Sequence, residues 1–347
     1  MPMSASTRGA LCGLAAAALF GLSAPLAKPL LSTTSPLTLA GLLYLGGGLA
    51  LAVASALRRR TNEAPLRRGD VPRVGLLILC GGIVGPVLML LALQRASASS
   101  VSLLLNLEGP FTLALAALAF GEHVGWRGLA SLLVVVAGAV VLGFPTGPVH
   151  TPLGAALCVA GACLAWGLDN NLTRSLSLRD PVALVRTKTL GAGTCSLALS
   201  LLAGQPLPSL KTMLLALLLG AASYGTSILL DAYALRMLGA AREAAYFATA
   251  PFLGALGAVL LLSERLSATT LLAGGVMAVG VWLLLSERHG HAHTHETLAH
   301  EHRHVHDAHH QHPHQGKFTE PHSHPHHHAP LTHDHPHVPD SHHHHRH

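Results

Sequence analysis

Apolar stretches of about 20 residues, the length needed to cross a hydrocarbon core about 30 Å thick, recur between Leu11 and Leu285 and leave this chain few folds to choose from. Ten spans are expected: 9–31, 37–57, 72–94, 98–120, 126–144, 152–173, 181–203, 210–235, 241–262 and 267–286. Half of the 347 residues are hydrophobic and 11% are charged, against about 25% charged in a soluble domain. The solvent for most of this surface is therefore lipid. Gly and Ala are plentiful and aromatics sparse, which suits helices that pack through small faces. The runs Gly46, Gly47, Gly48 and Gly274, Gly275 mark such faces on the second and tenth helices.

Basic residues set the expected orientation. With the N-terminus inside, the inner side carries Arg8, the cluster Arg58, Arg59, Arg60, Arg67, Arg68 and Arg73, then Arg127, Arg174, Arg179, Arg236, Arg242 and Arg288. The outer loops carry Arg95, Lys211 and Arg265. By the positive-inside rule both termini lie in the cytoplasm of an inner or plasma membrane. This bias accounts for the basic pI, so no nucleic-acid partner is implied. Cys12, Cys80, Cys158, Cys163 and Cys195 all fall within spans, where they read as small apolar side chains.

The hydrophobic pattern hides a duplication. "LFGLSAPLAK" (19–28) matches "AWGLDNNLTR" (165–174) at a shift of 146, and "LLNLEGPFTLALAALAFGE" matches "YFATAPFLGALGAVLLLSE" with Pro110 on Pro251 and Glu122 on Glu264. "ALQRASAS" is echoed by "ALRMLGAA". Two five-helix halves follow, 1–145 and 146–288, with a tail over 289–347. Five is odd, so the second half enters the membrane inverted. This is the plan of many secondary transporters, in which the site lies between the halves. The aromatic-Gly near the end of the first helix of each half with its following cation, the "A-L-x-R" turn, the mid-helix Pro of the fourth helix and its closing Glu resemble the EamA family of the drug/metabolite transporter superfamily over about residues 9–286. The resemblance implies an all-α membrane protein of ten transmembrane helices in two inverted five-helix repeats, and export of a small solute. "DNN" at 169–171 and the long tail depart from the family pattern.

Polar residues found in both halves read as scaffold. Pro110 and Pro251 bend their helices, and Glu122 and Glu264 read as charges at the N-termini of helices five and ten. Polar residues found in one half are candidates for cargo. Glu108 falls near mid-helix, where an acid costs about 2.5–3.5 kcal/mol to insert; it is a proton-exchanging group, the partner of a cationic cargo, or a protonated acid hydrogen-bonded to a neighbouring helix. Asp169, Asp231 and Glu243 are further acids of the second half. With Asn106, Asn170, Asn171, Lys188, Tyr224 and Tyr246 they would suit a zwitterion, a polyamine or a hydrated divalent ion. Trp166 and Phe20 occupy matching positions as chamber walls. No Walker loop or catalytic-triad spacing is present, which argues against an enzyme, and no cofactor is required. No sequence feature specifies an oligomeric state.

The tail holds 25 of the 27 histidines, few large apolar groups and many prolines, the composition of a disordered segment. His289, His291, His293 and His295, then His300, His302, His304 and His306, alternate along the chain, and neutral imidazole is a ligand for Zn, Ni, Co and Cu. Residues 1–288 carry 19 basic and 10 acidic side chains and the tail 3 and 6, so the tail has the sign to rest on the basic inner face. Three functions are consistent with the residues: proton-linked export of a small polar solute with a metal-binding regulatory tail; efflux of Ni, Co or Zn; and metal sensing without transport.

Overall fold

The computed structural model describes residues 5–57, 64–120, 125–143, 151–176, 179–238 and 240–286, with the backbone of 289–295, 298–304, 322–328 and 331–337. Within the apolar body, the described elements are all helical. α1 runs over Ala5–Gly21 and continues through Ser23–Ala27 into a 3-10 turn at Lys28–Ser32; α2 is Pro36–Leu57. α3 joins Val71–Leu77 and Gly85–Leu93 through a π-helical turn, Ile78–Val84. α4 joins Ala98–Leu104 and Glu108–Phe120 through a 3-10 turn, Leu105–Leu107, and α5 is Trp126–Gly143. α6 is Leu153–Ser175 and α7 Pro181–Leu202. α8 joins Leu210–Gly220 and Ser227–Leu238 through a second π turn, Ala221–Thr226. α9 joins Ala240–Phe247 and Ala250–Leu262, and α10 is Ala268–Leu285.

Nine of the described helical stretches are long and apolar enough to cross a membrane. α7 is long enough at 22 residues but is not among those nine, and it carries Arg186 and Lys188 in its N-terminal half. Helix starts follow the capping residues in the sequence. Ser97, Asp180, Ser209 and Ser267 each accept a hydrogen bond from backbone N–H groups of the first turns of α4, α7, α8 and α10.

The interruptions recur at matching places in the two halves. Pro110 and Pro251 lack the N–H that would close the preceding turn, and each sits just after the break in α4 or α9. The carbonyls exposed by the α4 break face the Cys163 thiol, 3.8 Å from Leu104 O and 3.9 Å from Leu105 O.

Packing runs mainly between the halves. α1 lies on α8 and α9, α6 on α3 and α4, α2 on α7, and α5 on α10. Exchanging the halves would leave this pattern unchanged. α2 and α8 approach most closely: a Cβ at Gly220 would meet the backbone of Leu43, one at Gly46 the backbone of Leu217, and one at Gly47 the backbone of Tyr224 and Gly225. On α10 the expected tight face is not at Gly275, where a Cβ would meet nothing within 4 Å. It is formed by Gly280, against Val135 and Ser131 of α5. The outer faces of α5 and α10 expose Leu129, Leu133, Val140, Leu271, Leu272 and Val279, a surface that only lipid would favour.

Charged ties between halves lie toward both ends of the bundle. Asp70, before α3, accepts from Arg179 Nε at 2.9 Å and Nη2 at 3.4 Å. Toward the opposite end Thr33 and Thr212 bring two hydroxyls to 3.5 Å. Glu264 does not serve α10, as its position in the sequence suggests, because Ser267 already caps that helix. Its carboxylate instead accepts Ala98 N–H at 2.8 Å, Ser99 N–H at 2.9 Å and Ser99 Oγ–H at 2.7 Å, and lies 3.3 Å from Lys28 Nζ. Lys28 Nζ also donates to Ala96 O at 2.7 Å. Glu122 lies outside the described residues.

In the tail, His289–His295 pairs antiparallel with Leu331–His337, and Leu298–His304 with His322–His328. Two-stranded ribbons of this kind have no core of their own.

Burial alone would raise the Glu264 carboxyl, but the hydrogen bonds from Ser99 and Ala98 and the Lys28 charge hold it below the usual carboxylate range. A depressed acid stabilises the fold above its unfolded pKa, and that contribution disappears as pH falls through its folded value. The thermal stability of the wild type in detergent should therefore exceed that of Glu264→Gln at pH 7, and the gap should close on acidification below the usual carboxylate range. A gap independent of pH would contradict the assignment.

Candidate substrate chamber

The π turn of α3 supplies the centre of the site. Its i→i+5 pattern bonds Gly85 N–H to Cys80 O, and the next bond would join Pro86 to Gly81 O, but Pro86 has no N–H. The freed Gly81 carbonyl is taken up by side chains from both halves. Tyr44 of α2 donates its hydroxyl at 2.6 Å and Trp166 of α6 its Nε1–H at 3.1 Å. Tyr44 is 3% exposed and Trp166 5%, so neither donor has bulk water as an alternative.

Gly81 also makes room for charge. A Cβ there would collide with the Asp169 carboxyl group, so the missing side chain lets α6 bring that carboxylate against α3. Asp169 pairs through Oδ2 with Lys188 of α7. Both ions are largely buried, with side chains 7% and 12% exposed, and Asp169 Oδ1 has no hydrogen-bond partner. Tyr224, on the π turn of α8, lies beside Ser23, and its buried hydroxyl also lacks a partner. Aromatic rings bind the group together: Tyr44 to Tyr224 at 5.0 Å, Phe20 to Tyr224 at 6.1 Å, and Phe20 to Trp166 at 6.3 Å between centroids.

The "DNN" triplet is explained by its neighbours. Asn170 Nδ2 donates to Glu108 Oε1 at 2.9 Å, and Asn171 Nδ2 to the carbonyls of Thr112 at 3.0 Å and Gly167 at 2.8 Å. The two amides thus staple α6 to α4. Glu108 is partly exposed and within electrostatic reach of Asp169, Lys188 and Asp231. The carboxyl groups of Asp231 of α8 and Glu243 of α9 lie beside each other.

Of the residues singled out in the sequence, Trp166, Asp169, Lys188 and Tyr224 converge around Gly81, with Glu108 and Asn170 beside them. Asp231 lies beside Glu243. Asn106 is turned inward on its own helix, donating to Leu103 O at 2.8 Å, and Tyr246 lies against Gly13 of α1. The tail histidines lie beyond the side chains described. Sequence reading missed Tyr44 and Gly81. Tyr44 had a signal, a phenol within the otherwise apolar "GLLYLGGG"; Gly81 had only the proline five residues on.

Apolar helices interleaved around a buried cluster of ions and phenols define an integral membrane protein with a polar centre. The model of the EamA-like transporter family matches residues 7–144 and again 153–286. The chain belongs to that family, within the drug/metabolite transporter superfamily. It is 30% identical over 276 residues to an "Uncharacterized transporter" of Methanothermobacter thermautotrophicus, across 74% of this chain and 80% of the relative. A solved crystal structure with 21% identity superposes with a TM-score of 0.60, covering 80% of this chain and 98% of the other, a likeness of fold.

The shared acceptor at Gly81 predicts non-additive energetics. Tyr44→Phe or Trp166→Phe alone leaves the carbonyl one donor, whereas the double variant leaves it buried and unpaired, at a cost of about 1–3 kcal/mol. A double-mutant cycle by thermal or chemical unfolding should show the pair costing more than the sum of the singles. Additive losses would contradict the shared bond.

Proposed function

We propose that this protein is a secondary-active exporter of a small polar solute, working by alternating access between two inverted five-helix repeats with α7 as the tenth span. The observation that carries the reading is the buried Gly81–Asp169–Lys188 cluster. Both halves contribute to it, and α3, which supplies Gly81, is interrupted there by the π turn that frees the carbonyl. Irregular backbone at membrane depth is tolerated where it lines a cavity or is buried in protein. The π turn in α8 repeats the interruption on the other side. Basic-residue bias supports cytoplasmic termini and an inner or plasma membrane.

The unpartnered Asp169 Oδ1 and Tyr224 hydroxyl are an acceptor and a donor waiting for a solute, and the Asp169–Lys188 pair lets a carboxylate and an ammonium be exchanged for those of a zwitterion. Intramembrane acids are costly unless used. Glu108, held by Asn170 and open on one side, and the adjacent carboxyls of Asp231 and Glu243 suit proton-linked exchange.

The tail is assigned metal binding and regulation, through the alternating imidazoles from His289 to His306. It also motivates a second reading, in which Ni, Co or Zn is the cargo. The sequence places no histidine in the spans, His123 and His150 being the others and lying outside the described residues, so the transport path would have to rely on carboxylates.

A deletion strain challenged with these metals, amino acids and common metabolites identifies the cargo, and flux of that cargo is then measured in proteoliposomes under a pH gradient. Glu108→Gln should abolish gradient-driven flux, and Asp169→Asn should reduce it at least about tenfold, the scale of one lost charge-assisted contact, with both proteins folded. Wild-type flux from Glu108→Gln would remove that residue from coupling. Lost metal tolerance with no change in any organic solute would replace the solute reading by the metal one.

A further inference from the structure

The Glu264 carboxylate joins three separate elements. It belongs to the α9–α10 turn of the second half, while its partners Ala98 and Ser99 begin α4 and Lys28 closes α1, all in the first half. Lys28 in turn holds the α3–α4 turn through Ala96 O. The same end of the bundle is sealed a second time beneath this tie. A Cβ at Gly21 would meet the backbone of Ala250 and Gly254, and one at Gly254 would meet Gly21 O and the Ser102 hydroxyl. Ser102 Oγ is buried there without a partner. Ser23, beside Tyr224, is five residues from Lys28, about 7.5 Å along a helix. The tie therefore lies over the chamber as a lid. On the other side of the chamber Asn170 is exposed and Glu108 partly so.

We propose that Lys28 and Glu264, clamping the start of α4, form the gate that closes the chamber at the Lys28 end of the bundle, and that this end opens when the clamp breaks. The proposal rests on the transport reading above, with the Lys28 end outermost. A carboxylate with four donors and a glycine seam behind it has two arrangements: docked with every donor satisfied, or released into water with the donors solvated. A single carboxylate holding three elements makes them part together, which is what opening one end requires. The seam favours the same behaviour, since helices packed backbone to backbone separate without side chains to disentangle.

The test reads access to the chamber, independently of flux. Ser23→Cys is placed in a background with the five native cysteines replaced, and right-side-out and inverted vesicles are treated with a membrane-impermeant maleimide. Labelling from the outer face should be low with the clamp intact and rise about tenfold with Glu264→Gln, the shift expected on losing charge-assisted hydrogen bonds. Lys28→Met should act in the same direction, and serves alone if Glu264→Gln does not fold. Folded variants whose outer labelling stays at the starting level overturn the gate, as does a rise that is equal from both faces. Flux lost without increased outer labelling leaves the transport reading in place and overturns the gate. Increased outer labelling in a protein that moves none of the tested solutes upholds the gate and overturns the transport reading.

Discussion

Lipid offers no hydrogen bonds, so every backbone N–H and C=O in this bundle has to be satisfied from within. That constraint makes the exceptions informative. α3, α4, α8 and α9 each break their regular pattern, and the breaks in α3 and α4 release carbonyls into the interior. At Gly81 the carbonyl is satisfied by a phenol and an indole from different halves. At Leu104 and Leu105 the nearest side-chain donor is the thiol of Cys163. Lipid-exposed breaks of this sort would be costly, whereas buried ones tie the halves together and create a polar centre.

Polarity in that centre is unequally shared. The first half gives mainly shape, through a proline that frees a carbonyl, a glycine that admits a carboxylate and the Phe20 ring, with Glu108 as its one acid. The second half gives charge, through Asp169, Lys188, Asp231 and Glu243. The two ends of the bundle are also held differently. Asp70–Arg179 ties one end, while Lys28–Glu264 and the Thr33–Thr212 hydroxyls tie the other. A repeat that was symmetrical in energy as well as fold would hold both ends equally. Different side chains at the two ends let them respond differently to pH, salt and solute.

Much of the scaffold was legible in the sequence because lipid enforces length. The observed helices lie within a few residues of the segments expected from the sequence. The site was legible in part. One-sided acids and amides pointed to Asp169, Asn170 and Glu108, since charge inside a bilayer is expensive wherever it falls. Partners were not legible. Glu264 lies next to α10 in the chain but caps α4, because a loop between antiparallel helices ends beside whatever element the fold delivers there. Gly81 was invisible for the opposite reason: its part is played by a backbone carbonyl, and a π turn has no sequence signature beyond a suitably placed proline. Asn106 carried the right chemistry but spends its amide on Leu103 of its own helix.

The central claim is that a solute enters the space lined by Trp166, Tyr224 and the Asp169–Lys188 pair. With Trp126 and Trp282 replaced by Phe, Trp166 becomes the sole indole, and its emission can be followed while the transported solute is titrated into the purified protein. A saturable change in intensity or wavelength, lost in Asp169→Asn, is the predicted result. Unchanged Trp166 emission in a variant that still transports the same solute would contradict it.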